Sequence, residues 1–283
     1  RFRHLDELWK KDQVELEDIW KRTKKAIDHT INFLKNNAGI ESSDWIPSVN
    51  ALVPLVVYFS KKENHLLEEE TRGLLFWFFE ATVHGRFTGS PESKIDQDLR
   101  AINGPRPLDD LIGNLRREIA RFDITPEMVE GKFQRNPFLP LMFVIFRRNE
   151  AKDWFTGTVL SSTNVGPEHR LEFHHIFPKA VLKQIYQDED KNLPMYESHE
   201  IDDLANIAFL SQKANRVILK SPPDEYLPKV EEEWLQSQLV PLNTDLWNVD
   251  RFRDFLVERR SLLAEAMNEY LRKLGREFFR EQE

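Results

Sequence analysis

The sequence predicts a mainly α-helical protein: a helical scaffold with a small strand, loop, strand and helix island embedded in it. Three observations lead there. Apolar side chains recur at three- and four-residue spacing through most of residues 13–155 and again over 249–279. Charged residues make up 31% of the chain against 40% hydrophobic ones, a balance that suits helices with one solvated face. Between 156 and 221 the helical period is lost, turn-forming residues collect, and two short β-like runs stand on either side of a charged loop.

The elements follow in order. "QVELEDIWKRTKKAIDHTINFLKN", 13–36, is an amphipathic helix that stops near "NNAG". "SVNALVPLVVYFSKK" and "EETRGLLFWFFEATVHG" read as two more, the second apolar enough to lie in the core. Its "LLFWFFEA" is therefore expected to be packing and not a base-stacking surface. "SPESKIDQDLRAI" opens with a serine cap and a downstream Glu. "PLDDLIGNLRREIARF" and "NPFLPLMFVIFRRN" continue the pattern. "TGTVLSSTNVGPEHR", 156–170, breaks it. The strand "RLEFHHIF", the loop "QDEDKNLPMYESHE", the strand "ANIAFLS" and the helix "QKANRVILK" make the island. "SPPDEYLP" ends that helix, and a long amphipathic helix closes the chain from 249. The expected organisation is a helical region over 1–155, the island over 156–221, and C-terminal helices over 222–283 that pack on the rest.

The bulk chemistry narrows the field. At 283 residues, with 20 Phe, 7 Trp and 5 Tyr, the chain can bury a substantial core. The net charge of −8 argues against broad electrostatic attraction to nucleic acid, so any such contact rests on a local cationic patch or on another part of the molecule. The absence of Cys removes thiol nucleophiles, disulfides and thiolate zinc sites. The run "ALVPLVVYF" is too short to span a bilayer, and no signal-peptide core opens the chain. A cytoplasmic location and no membrane partner are expected. The first residue is Arg1, and the chain is expected to be the C-terminal piece of a longer protein.

The chemistry concentrates in the island. His174 and His175 end the first strand, Asn206 opens the second run, and Asn215 stands nine residues later on the helix. A His-His pair alone is more often a solvated turn. "FHHIFP" and "NIAFLSQKAN" together resemble the His-Asn-His (HNH) nuclease motif of the ββα-metal class. That resemblance implies His174 as a metal ligand, Asn215 as the second, and His175 as the general base. Asn206 would hold the loop and the base. A neutral N,O pair leaves room for water and phosphate oxygens and suits Mg²⁺ or Mn²⁺. Many members of the family carry a zinc knuckle, with cysteines where this chain has Ser211 and Ala214, and the three-His variants have a further ligand where it has Leu219. Local folding must then rest on packing instead of zinc.

The physics of each position is consistent with those roles. Adjacent strand residues point to opposite faces, so one imidazole can reach the helix while its neighbour faces a water. An imidazole titrates near neutrality and can take that water's proton. Lys213, Arg216 and Lys220 fall at i, i+3 and i+7, a cationic stripe suited to phosphate, with Arg216 the first choice for the scissile group.

Other features have plainer readings. Asp202 and Asp203 could be ligands, but before a helix or strand start they are expected to cap or face solvent. His169 and His199 are expected at the surface. Glu172 either assists the metal or pairs with Arg170 or Lys213. Well-separated glycines exclude a phosphate-binding P-loop or dinucleotide fingerprint, and neither a nucleophile elbow nor a His-Glu-x-x-His motif is present.

The resemblance extends further. "HHIFPKAVL", "IDDLANIAFLSQKANRVILKSPPDEYLPKV" and "LWNVDRFRDFLVERRSLLAEAMN" look like the C-terminal part of GmrSD-type, modification-dependent restriction proteins. It implies an HNH endonuclease in prokaryotic defence against foreign or modified DNA. It also implies an N-terminal nucleotide-hydrolysing domain as partner, whose Asp-Gly-Gln-Gln-Arg motif is missing here. Two other readings stay open: a helical interaction domain whose nuclease fold is inactive, and a nuclease directed at RNA. Oligomeric state is open.

Overall fold

The computed structural model describes residues 5–40, 43–62, 66–160, 171–185, 196–218 and 220–279. It is mainly helical, with a two-stranded sheet. The chain divides into two compact units, Arg1–Phe122 with Tyr270–Glu283, and Asp123–Glu269.

The first unit begins its long helix α1 (Gln13–Ala38) where the Asp12 side chain accepts the Glu15 amide at 2.8 Å. It stops at Gly39, whose φ of 65° is the left-handed turn that a residue without Cβ adopts at little cost. A 3₁₀ turn (Val49–Ala51) leads into α2 (Leu52–Ser60). Helix α3 (Glu68–Val83) carries the aromatic stretch. Phe76, Trp77, Phe78 and Phe79 are all buried, as the helical spacing predicts.

Helix α4 (Glu92–Ile102) starts later than expected. Its cap is Pro91, which is already in the helical region of backbone space, and no side chain caps it. Ser90 is one residue too far out for the role its sequence position suggests. Helix α5 (Pro107–Glu118) ends four residues short of the expected limit because Ile119 turns extended. Buried Arg86 ties α4 to α5: it grips Asp98 through two bonds of 2.8 and 2.9 Å and also reaches Glu118, while Asn114 donates to Asp98 at 2.7 Å. A buried guanidinium is tolerated only with such partners.

The second unit holds α6 (Pro126–Val129), α7 (Leu139–Arg148), β1 (Leu171–His175), α8 (Lys179–Ile185) and α9 (Ser198–Ile201). It continues with β2 (Ile207–Ser211), α10 (Gln212–Ile218), α11 (Pro223–Tyr226) and α12 (Glu232–Ser237). The N-terminal part of α13 (Phe252–Phe279) completes it. The short helices α6, α8, α9, α11 and α12 carry too few turns for a periodic signal and were not expected. Helix α7 begins after a turn in which Asn136 accepts the Phe138 amide at 2.9 Å, so the first residues of "NPFLPLMF" are spent on the turn.

The sheet sits at the centre of this unit. β1 and β2 are antiparallel, with His174 opposite Ala208 and His175 opposite Ile207. All five residues of β2 are buried. Phe209 meets Phe143, Phe146 and Phe173 at ring distances of 5.3, 5.8 and 5.5 Å. The far edge of β2 would leave backbone groups unpaired in the core. The Gln238 amide takes them, accepting from Phe209 N at 2.8 Å and donating to Phe209 O at 2.9 Å. Buried Arg259 then fixes the approach to β2, donating to the carbonyls of Ala205, Gln238 and Leu239. Burial lowers its pKa to about 9, and it stays charged at neutral pH. Among the described residues no helix is long and apolar enough to cross a membrane.

Candidate functional site

The strand pair and the following helix bring the singled-out side chains together. Alternation along β1 sends His174 inward, 2% exposed, toward α10, while His175 lies half-buried on the other face. Helix α10 is started by Ser211, whose hydroxyl accepts the Ala214 amide at 3.1 Å. Ser211 and Ala214 are thus linked by a helix-capping hydrogen bond. Asp153 holds the same helix start from outside, accepting the Ser211 amide at 2.8 Å.

Asn215, on α10, faces His174: Asn215 Oδ1 lies 2.9 Å from His174 Nδ1. Its amide nitrogen donates to Glu172 Oε2 at 2.9 Å, and Gln212 donates to Glu172 Oε1 at 3.1 Å. Among the described residues Glu172 therefore pairs with Gln212 and Asn215 and not with Lys213; Arg170 lies outside the described residues. Glu172 stands two residues before His174, on the same strand face, and joins the cluster. The other imidazole nitrogen, His174 Nε2, lies 3.2 Å from the Tyr226 hydroxyl, which donates to Ile176 O at 2.8 Å.

The bond to Glu172 orients the Asn215 carboxamide with its oxygen toward His174. Neutral His174 protonated on Nδ1 donates to that oxygen in an ordinary hydrogen bond, and burial lowers its pKa to about 4. The same nitrogen and oxygen can take a cation in place of that proton. Two adjacent ligands at about 2.1 Å on an octahedral ion stand about 3 Å apart, which matches the separation here. Glu172 and Asn215 are half-buried and Glu172 supplies a carboxylate. The donors therefore fit a hard divalent cation. Among the described residues no group of three or more His, Cys, Asp or Glu is placed to hold one, so the set depends on the carboxamide.

His175 is held differently. Its Nε2 donates to Asp202 Oδ1 at 2.9 Å, and Lys179 Nζ reaches the same oxygen at 2.6 Å. The carboxylate thereby fixes the proton on Nε2 and leaves the lone pair on Nδ1. Burial lowers the His175 pKa, and Lys179 adds to this; Asp202 opposes it without reversing it. Burial works against ionised Asp202 too, but Lys179 and His175 outweigh it and keep the carboxyl below its ordinary range. The ring rests edge-on against Phe133 at 5.6 Å.

Asn206, fully buried, accepts the Phe177 amide at 2.8 Å and donates to Phe177 O and Ile201 O; its own carbonyl accepts the Ile176 amide. It fixes the chain on both sides of the site. Among the described residues none of these bonds reaches His175, whose ring is held by Asp202. Asp203 does cap as expected, accepting the Ala205 amide, and is fully buried. His199 is at the surface beside Glu197. His169 and Leu219 lie outside the described residues.

The cationic stripe is shorter than its spacing suggests. Lys213 and Arg216 are exposed on α10, but the helix ends at Ile218 and Lys220 lies in the turn beyond. Ser221-Pro222-Pro223 follow, and a residue before proline is driven out of the helical region. Lys213 sits over the Phe155 ring, 5.9 Å from its centroid. Asp202 is visible in the sequence as a possible ligand but not as a partner of His175, and Phe155 has no signal beyond its residue type.

No family model matches the chain. No solved structure matches it either. It is similar to an uncharacterized protein of Methanocaldococcus jannaschii, 21% identical over 194 residues. That match covers 66% of this chain and 30% of the relative, so the chain spans about a third of the protein it resembles.

Proposed function

We propose that the module built on β1, β2 and α10 is an HNH-type, metal-dependent endonuclease that hydrolyses phosphodiester bonds in DNA. One observation carries this reading: a buried imidazole and a carboxamide meet at 2.9 Å, the separation of two neighbouring ligands on one hard cation, with the Glu172 carboxylate bonded to the same carboxamide. The order of strand, strand and helix, the motif spacing and the resemblance to restriction proteins all agree with it. His174, Asn215 and Glu172 would hold Mg²⁺ or Mn²⁺. When bound, such an ion supplies positive charge to the phosphate and offsets the charge that builds up as the bond breaks.

The chain's own residues do the rest. His175 takes a proton from water at Nδ1 as the water oxygen attacks phosphorus. Asp202 steadies the imidazolium that forms, and Asn206 keeps the turn after β1 in place. Lys213 and Arg216 contact the phosphate backbone, with Lys220 further along the strand. The P–O bond to the leaving oxygen breaks, and that oxygen takes a proton from solvent.

We place this activity in prokaryotic DNA restriction and anti-phage defence, with a nucleotide-hydrolysing domain as partner. A second reading, an interaction domain with an inactive nuclease fold, is favoured by the sparse ligand set and the net charge of −8. Plasmid nicking with Mg²⁺ or Mn²⁺, on wild type and His175→Ala, separates the two. Nicking that is abolished in His175→Ala supports the nuclease. Its absence in wild type with either metal favours the second reading, and nicking that survives His175→Ala removes the assigned base. RNA cleaved in preference to DNA would redirect the substrate.

A further inference from the structure

We propose that Phe155 is a stacking surface for an unpaired nucleobase beside the scissile phosphate, so that the preferred substrate is single-stranded or locally opened nucleic acid. This rests on the nuclease reading.

Phe155 is 51% exposed, an unusual place for a phenyl ring in a unit with many buried Phe. A rigid turn keeps it there. Asp153, 1% exposed, accepts the amides of Phe155 and Thr156 at 3.2 and 2.9 Å and the Thr156 hydroxyl at 2.8 Å. Its backbone closes the turn: Asp153 N donates to Thr158 O at 2.8 Å and Gly157 N to Asp153 O at 2.9 Å. Gly157, at φ +67°, lies so close to Trp234 that an added Cβ would stand 2.8 Å from the indole. The ring is thus presented to solvent by a turn with little freedom, and ordering it for a ligand costs little.

Its surroundings suit a nucleotide. Trp154, the preceding residue, packs its ring 5.9 Å from that of His174, and its buried indole N–H has no hydrogen-bond partner among the described residues. Lys213 stands over the Phe155 ring. A half-exposed ring with a cation over it can offer its remaining surface to a base and the cation to the neighbouring phosphate. In an intact duplex the base faces are already stacked, so an aromatic platform selects strands whose bases are free.

The test uses wild type, Phe155→Ala and Phe155→Tyr, each checked for an unchanged melting temperature. Fluorescent single-stranded and duplex oligonucleotides are titrated with EDTA present, and single strands containing 5-iododeoxyuridine are photocross-linked. Phe155→Ala is expected to weaken single-strand binding about 5- to 150-fold. Phe155→Tyr should restore it, duplex affinity should barely move, and the cross-link should map to the peptide containing Phe155. Equal single-strand affinity in wild type and Phe155→Ala, with no cross-link at that peptide, overturns the platform. If His175-dependent nicking persists in that case, the nuclease reading stands without it. Wild type that binds no oligonucleotide and cuts none overturns both.

Discussion

Replacing Asp202 by Asn probes a pairing with His175 that the sequence did not reveal. The carboxylate accepts from His175 Nε2 at 2.9 Å and from Lys179 at 2.6 Å, and its side chain is 13% exposed. Asn keeps the shape and an acceptor oxygen but loses the charge. That charge matters most when His175 becomes an imidazolium, in the transition state for proton removal from water. A charge-assisted hydrogen bond contributes about 1.5–3 kcal/mol. At about 1.4 kcal/mol per decade, Asp202→Asn should slow single-turnover cleavage roughly 10- to 150-fold. Metal-free oligonucleotide affinity should hold. The pH profile adds a reading that a purely structural role would not move. Asp202 raises the His175 pKa against its burial, so removing the charge lowers it further. The base is active when neutral, and the acid limb of the rate profile should shift to lower pH. Cleavage at the wild-type rate with an unmoved acid limb would refute the role given to Asp202.

Two further outcomes test the scaffold. Gly157→Ala forces a left-handed φ on a residue with Cβ and drives that carbon against Trp234, so unfolding in denaturant should show a loss of about 2–4 kcal/mol. Asp153 has a depressed pKa: burial opposes ionisation, but the hydrogen bonds from Ser211 and Thr156 outweigh it. Its contribution is therefore complete above the ordinary value of 3.8 and is lost as pH falls toward the folded value. Wild type should lose melting temperature on acidification through that range, and Asp153→Asn, already less stable at neutral pH, should lose less.

The helical framework was legible because long amphipathic helices write their period into the sequence. The buried run of α3 and the closing helix α13 both lie where the spacing placed them. The two strands were legible from β-type runs bounded by turn formers, and the His174–Asn215 juxtaposition from motif spacing. What the sequence hid has a common physical origin. The pairing of Asp202, at the end of α9, with His175 depends on tertiary contacts, among them the Asn206 bonds that tie Phe177 to Ile201. Phe155 sits on a turn created by one buried carboxylate. Glu172 was visible as a same-face neighbour of His174, but its partners depend on how α10 is seated, which Ser211 and Asp153 decide. Lys220 looked helical by spacing, and the prolines after it ended the helix first.

The shared cation is the claim on which the functional account turns, and Mn²⁺ reports on it directly. Titrating Mn²⁺ into the protein while following histidine ring signals by NMR should broaden those of His174 first. The broadening should require micromolar to millimolar metal, and should be strongly reduced in Asn215→Ala and in Glu172→Gln. If the His174 signals stay sharp at Mn²⁺ concentrations that support cleavage, the ion binds elsewhere and the site is not what its geometry suggests.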